Sequence, residues 1–156
     1  MVEFKAVGVV FYPGTPDERV ALDRLDLNLR EGEFAVVVGT NGAGKSTTLN
    51  VLAGVVQAQS GTVLVDGVDI TTWPVYKRAQ LISRVFQDPM VGTAPALSIE
   101  ENMAFALMRG QRRAFGWALN NKRRAQFRDT LARFGLGMED RMGAAAGLLS
   151  GGQRQV

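Results

Sequence analysis

The chain has 156 residues, 46% apolar and 21% charged, with a net charge of +3. That length suits one domain with its own core, and so mild a charge is no argument for nucleic acid. It contains neither cysteine nor histidine, which excludes disulfides, thiolate metal sites, imidazole bases and imidazole ligands. No apolar run approaches the ~20 residues of a membrane helix, and Glu3 and Lys5 interrupt the start, so neither a span nor a signal peptide is expected.

Residues 2–11 alternate and read as a strand, and Tyr12-Pro13-Gly14-Thr15-Pro16-Asp17 is a turn-rich break. Leu25, Leu27 and Leu29 alternate with Asp26, Asn28 and Arg30, a half-buried strand that turns at Glu31-Gly32. The apolar run Phe34-Ala35-Val36-Val37-Val38 predicts a buried strand, and Leu49-Asn50-Val51-Leu52-Ala53 predicts a helix ending at Gly54. Gly61-Thr62-Val63-Leu64-Val65, the turn Asp66-Gly67 and Val68-Asp69-Ile70 form a hairpin. Leu81-Ile82-Ser83-Arg84-Val85-Phe86 is a further strand, ending at Gln87-Asp88-Pro89. Ser98 and Glu101 make a capping box before a helix whose apolar face is Ile99, Met103, Ala106 and Leu107. A second helix covers about residues 122–134, with Phe127, Leu131 and Phe134 on one face. Arg109, Arg112, Arg113, Lys122, Arg123, Arg124, Arg128 and Arg133 form a basic cluster around it. The cluster is either a solvated helix face or a surface toward anionic lipid or an acidic partner; no nucleic-acid module accompanies it.

Between the second apolar run and the first helix stands Gly39-Thr40-Asn41-Gly42-Ala43-Gly44-Lys45-Ser46-Thr47. Strand, glycine-rich loop and helix in that order are what a phosphate cradle needs. The glycines let successive N–H groups turn toward an anion, and the helix start adds unpaired donors and the positive end of its dipole. Lys45 brings a charge for the β- and γ-phosphates, and the Ser46 hydroxyl can ligate Mg²⁺. Near the end, Leu149-Ser150-Gly151-Gly152-Gln153 is a second small-residue arrangement at a helix mouth, again suited to an anion.

Taken in order, Tyr12, residues 39–47, Gln87 and residues 149–153 resemble the nucleotide-binding subunit of an ATP-binding-cassette (ABC) transporter, over the whole chain. The resemblance implies an α/β P-loop NTPase core with an N-terminal antiparallel β layer and a helical subdomain. It divides the chain into residues 1–90, a β layer and P-loop core up to the Q-loop, 91–148, a helical subdomain, and 149–156, the signature motif. It implies ATP and Mg²⁺ as cofactors, with Tyr12 stacking on adenine, though Phe11 is an alternative platform. Residues 39–47 resemble Walker A. Gln87 resembles the Q-loop glutamine, which joins the Mg²⁺ shell and couples to the transmembrane partner. Ser150, Gly151 and Gly152, with Gln153 after them, resemble the signature that grips the γ-phosphate of the opposite subunit in a head-to-tail homodimer or heterodimer. Permease subunits, a substrate-binding protein and a cytoplasmic position at the inner face of the membrane follow from the same resemblance. Phe86-Gln87-Asp88-Pro89, Gly92-Thr93-Ala94-Pro95, Glu100-Glu101-Asn102 and Gly147-Leu148-Leu149-Ser150 resemble a bacterial uptake subfamily for amino acids.

The chain departs from the family pattern at its end. Walker B, the catalytic glutamate, the D-loop and the switch histidine have no counterparts. Val63-Leu64-Val65-Asp66 is no substitute, because it precedes Gln87 and Asp66-Gly67 reads as a hairpin turn. The expectation is therefore an N-terminal portion, with the later part of the core missing, that binds ATP weakly at best and hydrolyses it negligibly. Without neighbouring strands, residues 36–38 would leave an apolar sheet edge exposed. The competing readings are a non-catalytic ATP-binding remnant or regulatory module, and a non-transport ABC ATPase of DNA repair or translation. The compact interval between Gln87 and Ser150 leaves no room for a long coiled coil, and the lack of cysteine rules out zinc modules.

Overall fold

The computed structural model describes residues 1–88, 90–108 and 119–155, in two compact units, Met1–Ser83 and Arg84–Val156. The first unit is an antiparallel sheet with a helix packed on it. Its strands are β1 (Val2–Phe11), β2 (Arg19–Leu29), β3 (Ser60–Val65) and β4 (Val68–Asp69), in the order β2-β1-β3-β4. The β1–β2 ladder shifts register between Phe4 and Val7, next to the left-handed Ala6 at φ 48°. The Ala6 N–H donates to Asp26 Oδ1 at 2.8 Å, so the irregularity leaves that donor satisfied. Between β3 and β4, Asp66 (φ 49°) and Gly67 (φ 77°) are both left-handed, as a two-residue primed hairpin requires. Asp66 is thus a turn residue, as its sequence context predicts.

Helix α1 (Lys45–Ala53) ends at the left-handed Gly54, as expected. It packs Val51 into a core with Phe4, Val7, Val9, Leu22, Val63, Val65 and Ile70; each such side chain contributes about 2 kcal/mol of apolar transfer. The C-terminal end of α1 is held by Arg78 of the short helix α2 (Val75–Arg78), whose side chain is 1% exposed. Its guanidinium donates to the carbonyls of Val51 (2.6 Å) and Leu52 (3.1 Å), and to those of Thr71 (2.7 Å) and Trp73 (2.9 Å). A cation there neutralises the negative end of the helix; it satisfies the Leu52 carbonyl and adds a second donor to that of Val51, which also accepts from the Gly54 N–H at 3.1 Å. Burial pushes the Arg78 pKa down, and Asp69 opposes that shift. The Asp69 carboxyl is itself held below its ordinary value, first by the Thr71 hydroxyl (2.6 Å), then by the Thr71 N–H and the charge of Arg78.

Two expected strands are not formed among the described residues. Residues 34–38 and 81–86 join no ladder, and Phe34, Val38 and Val85 are 89%, 83% and 82% exposed. Unbroken apolar runs specify strands covered on both faces and paired on both edges, and no described segment supplies those neighbours. The expected apolar sheet edge is therefore not formed; the run is exposed as an unpaired segment instead.

In the second unit, α3 (Ile99–Leu107) starts at the expected capping box: Ser98 Oγ accepts from the Glu101 N–H, and the Ser98 N–H donates to Glu101 Oε2 at 2.7 Å. Those bonds hold the Glu101 carboxyl below its usual pKa. Helix α4 (Asn121–Ala132) is capped by Asn120. The core joins Ile99, Ala104, Phe127, Leu131, Met138, Met142, Ala146 and Leu149. Three expectations need correcting: Ala106, Leu107 and Phe134 are exposed, and Ala104 takes the inward position on α3. The burial stripe runs through residues 99, 103 and 104, and α4 ends before Phe134. Of the basic cluster, Arg124 pairs with Glu100 through two bonds of 2.9 and 3.0 Å, while Lys122, Arg128 and Arg133 are exposed. Arg109, Arg112 and Arg113 lie outside the described residues. A 3₁₀ turn (Ala146–Leu148) and α5 (Gly151–Gln155) follow.

Candidate functional site

Residues 39–47 carry the exposed segment into α1. Gly42 and Gly44 are left-handed, at φ 85° and 88°, and the Ala43 N–H donates to the Thr40 carbonyl at 3.2 Å, which closes the turn. Gly44 is the pivot. A Cβ there would lie 2.7 Å from the Ala21 carbonyl oxygen and 3.0 Å from a Leu22 methyl, so the loop can meet β2 at this point only because the side chain is missing. Helical bonding begins with the Thr48 N–H on the Gly44 carbonyl at 2.8 Å. The N–H groups of Lys45, Ser46 and Thr47 are thereby left at the helix mouth without intrahelical partners. Lys45 Nζ donates to the carbonyls of Gly39 and Thr40, both at 2.7 Å, and ties its ammonium across its own loop.

A cavity of 290 Å³ opens at this loop. Asn41, Gly42, Gly44, Lys45, Ser46 and Thr47 border it from the loop and α1, and Phe11, Arg19 and Ala21 from the strands. None of these is a carboxylate, and two are cations, so the hollow favours an anion. A 420 Å³ hollow beside Asn28 and residues 30–33 carries no comparable donor set. Among the described residues no group of three or more histidine, cysteine, aspartate or glutamate side chains could hold a metal ion. The Ser46 hydroxyl, bordering the cavity, could offer one oxygen to a metal. That suits Mg²⁺ arriving on phosphate oxygens with most of its shell already filled.

Arg19 is the residue that sequence reasoning passed over. It precedes the alternating leucines in a stretch with no motif; only the ladder, which sets it opposite Phe11, places it at the cavity. Tyr12 follows at the strand end, left-handed at φ 52° and 69% exposed; it does not border the cavity, whereas Phe11 does. Gln87 and residues 150–153 belong to the second unit. Gln87 sits exposed in a bend. Gln153 donates its N–H to Ser150 Oγ at 3.3 Å and accepts from the Ser150 N–H at 3.1 Å, a reciprocal cap for α5. A Cβ at Gly151 or Gly152 would meet nothing within 4 Å. Neither glycine is required by packing here, although each lowers helix propensity by about 1 kcal/mol relative to alanine.

A family model described as "ABC transporter" matches residues 22–156. The chain is 34% identical over 155 residues to a tyrosine transport ATP-binding protein of Clostridioides difficile (strain R20291), covering 99% of this chain and 61% of that one. It is 35% identical to lipoprotein-releasing system ATP-binding protein LolD 1 of Caulobacter vibrioides, covering 99% and 64%. Among solved structures, the ATP-binding cassette MJ0796, in a dimeric post-hydrolysis state bound to ADP and Pi, aligns with a TM-score of 0.73 at 28% identity, over 99% of this chain and 65% of that one. The chain thus spans a little under two thirds of the length of these relatives.

Proposed function

Since the chain belongs to the ABC transporter family, we propose that it is the nucleotide-binding part of a subunit that couples ATP binding and hydrolysis to solute transport across a membrane. The observation that carries this reading is the loop at residues 39–47, with two left-handed glycines, a lysine and a serine at the mouth of α1 beside a carboxylate-free cavity. The N–H groups of Lys45, Ser46 and Thr47 would hold phosphate oxygens, and Lys45 would exchange its carbonyl partners for the β- and γ-phosphates. Mg²⁺, when bound, would neutralise phosphate charge, with the Ser46 hydroxyl as its ligand from the loop. Phe11 and Tyr12 are the two candidates for the base platform, and the position of Phe11 at the cavity favours it. Turnover requires an oriented water, and neither a cavity carboxylate nor any histidine in the chain can orient one. The 156 residues alone are therefore expected to turn ATP over negligibly.

Ser150, Gly151, Gly152 and Gln153 would meet the nucleotide of a second subunit in a head-to-tail dimer, which gives the open space around the two glycines a purpose. The proposed boundaries are 1–90, 91–148 and 149–156. Permease subunits at the inner membrane face and an amino acid as solute are proposed on the strength of the tyrosine-transport relative. The test is a titration with a fluorescent ATP analogue in Mg²⁺. Binding lost in Lys45→Ala and weakened in Ser46→Ala supports the reading; binding indifferent to both refutes it.

A further inference from the structure

We propose that Arg19 is a nucleotide-binding residue of this cavity, a second cation that takes phosphate oxygens alongside Lys45. The inference rests on the reading of the cavity as a nucleotide site and adds a residue to it. Arg19 borders the hollow, and its Nη2 donates to the Gly42 carbonyl at 3.2 Å. That bond uses one of five guanidinium donors, and no ion pair among the described residues involves Arg19. The charge is therefore uncompensated beside a loop built for anions. Its position is set by the fold: Arg19 stands opposite Phe11 in the last rung of the β1–β2 ladder, and directly opposed residues share a face, so ring and guanidinium form one wall. The tie to Gly42 keeps the guanidinium close over the loop, where a Cβ on Gly42 would come within 2.4 Å of Nη2. A planar fork with free donors suits phosphate oxygens better than it suits the single neutral carbonyl it now meets.

A purely structural tie would hold the loop for every ligand alike, whereas a phosphate contact must scale with phosphate charge. The experiment titrates the wild-type chain, Arg19→Gln and Arg19→Lys with fluorescent ATP, ADP and AMP analogues in Mg²⁺. Arg19 is exposed, so neither variant threatens the core. Arg19→Gln is expected to weaken ATP about tenfold, the low end for a hydrogen bond to a charged group, and AMP clearly less. Arg19→Lys should retain most of the ATP affinity, and the salt dependence of ATP binding should flatten in Arg19→Gln. Equal ATP affinity for wild type and Arg19→Gln overturns the inference and leaves the nucleotide site standing, as does an equal loss for AMP and ATP. A wild-type chain that binds none of the three overturns both.

Discussion

Replacing Arg78 by methionine keeps most of the buried stem and removes every donor. Four carbonyls lose a partner. Those of Val51 and Leu52 lie at the end of α1, and those of Thr71 and Trp73 in the segment leading to α2. A carbonyl left without its bond costs about 1 kcal/mol or more, and relief of the guanidinium's burial offsets about one such loss. The Val51 carbonyl keeps the Gly54 N–H at 3.1 Å, so three carbonyls are left bare and the net expectation is about 2 kcal/mol. With a urea slope of about 1.5 kcal/mol per M for a unit this small, the midpoint should fall by about 1.3 M. Trp73 packs beside the core of the first unit, so its fluorescence in a Trp117→Phe background reports that unit's unfolding. Arg78→Lys, with three donors on one nitrogen, should recover about half of the loss. A midpoint for Arg78→Met within about 0.3 M of the parent would refute the reasoning, because the guanidinium bonds would then contribute nothing net.

Gly44→Ala should cost at least about 1–2 kcal/mol, from its left-handed φ and the 2.7 Å approach to the Ala21 carbonyl, and should abolish nucleotide binding. Gly151→Ala, made in open space, should leave thermal stability unchanged or slightly raised; a clear drop in melting temperature would contradict the packing described. Glu101 has a folded-state pKa below its unfolded one, so its contribution is present above the ordinary carboxylate range and is lost as pH falls through the folded value. Glu101→Gln should therefore flatten acid sensitivity between about pH 5 and 3, as read by circular dichroism. Phe11→Ala should weaken the ATP analogue more than Tyr12→Ala does; the reverse order would restore Tyr12 as the base platform.

What the sequence revealed and what it hid differ by the range of the interactions involved. The hairpin at Asp66-Gly67, the capping box at Ser98 and Glu101 and the end of α1 at Gly54 each depend on residues a few positions apart, and all are present. The left-handed turns of the loop at residues 39–47 were legible for the same reason. Residues 34–38 and 81–86 were misjudged because a strand exists only with partners, and partners are non-local. Arg78 and Arg19 escaped notice because nothing local marks them: one is defined by helix-end carbonyls far away in sequence, the other by a cross-strand register. The face of α3 shifted from Ala106 and Leu107 to Ala104 because the stripe follows where α4 and Met138 pack.

The loop at residues 39–47 is secured unequally. On its α1 side it runs into hydrogen-bonded helix, clamped at the far end by Arg78; on its other side residues 34–38 belong to no ladder among those described. Ligand occupancy and strand pairing therefore meet at Gly39, where fixing one neighbour lessens the entropy lost in fixing the other. By thermodynamic reciprocity, any strand that pairs with residues 34–38 must tighten nucleotide binding by the same factor by which nucleotide tightens that pairing. The loop at residues 39–47 would then report on whether the neighbouring run is paired, so an affinity constant for this chain would double as a gauge of that pairing.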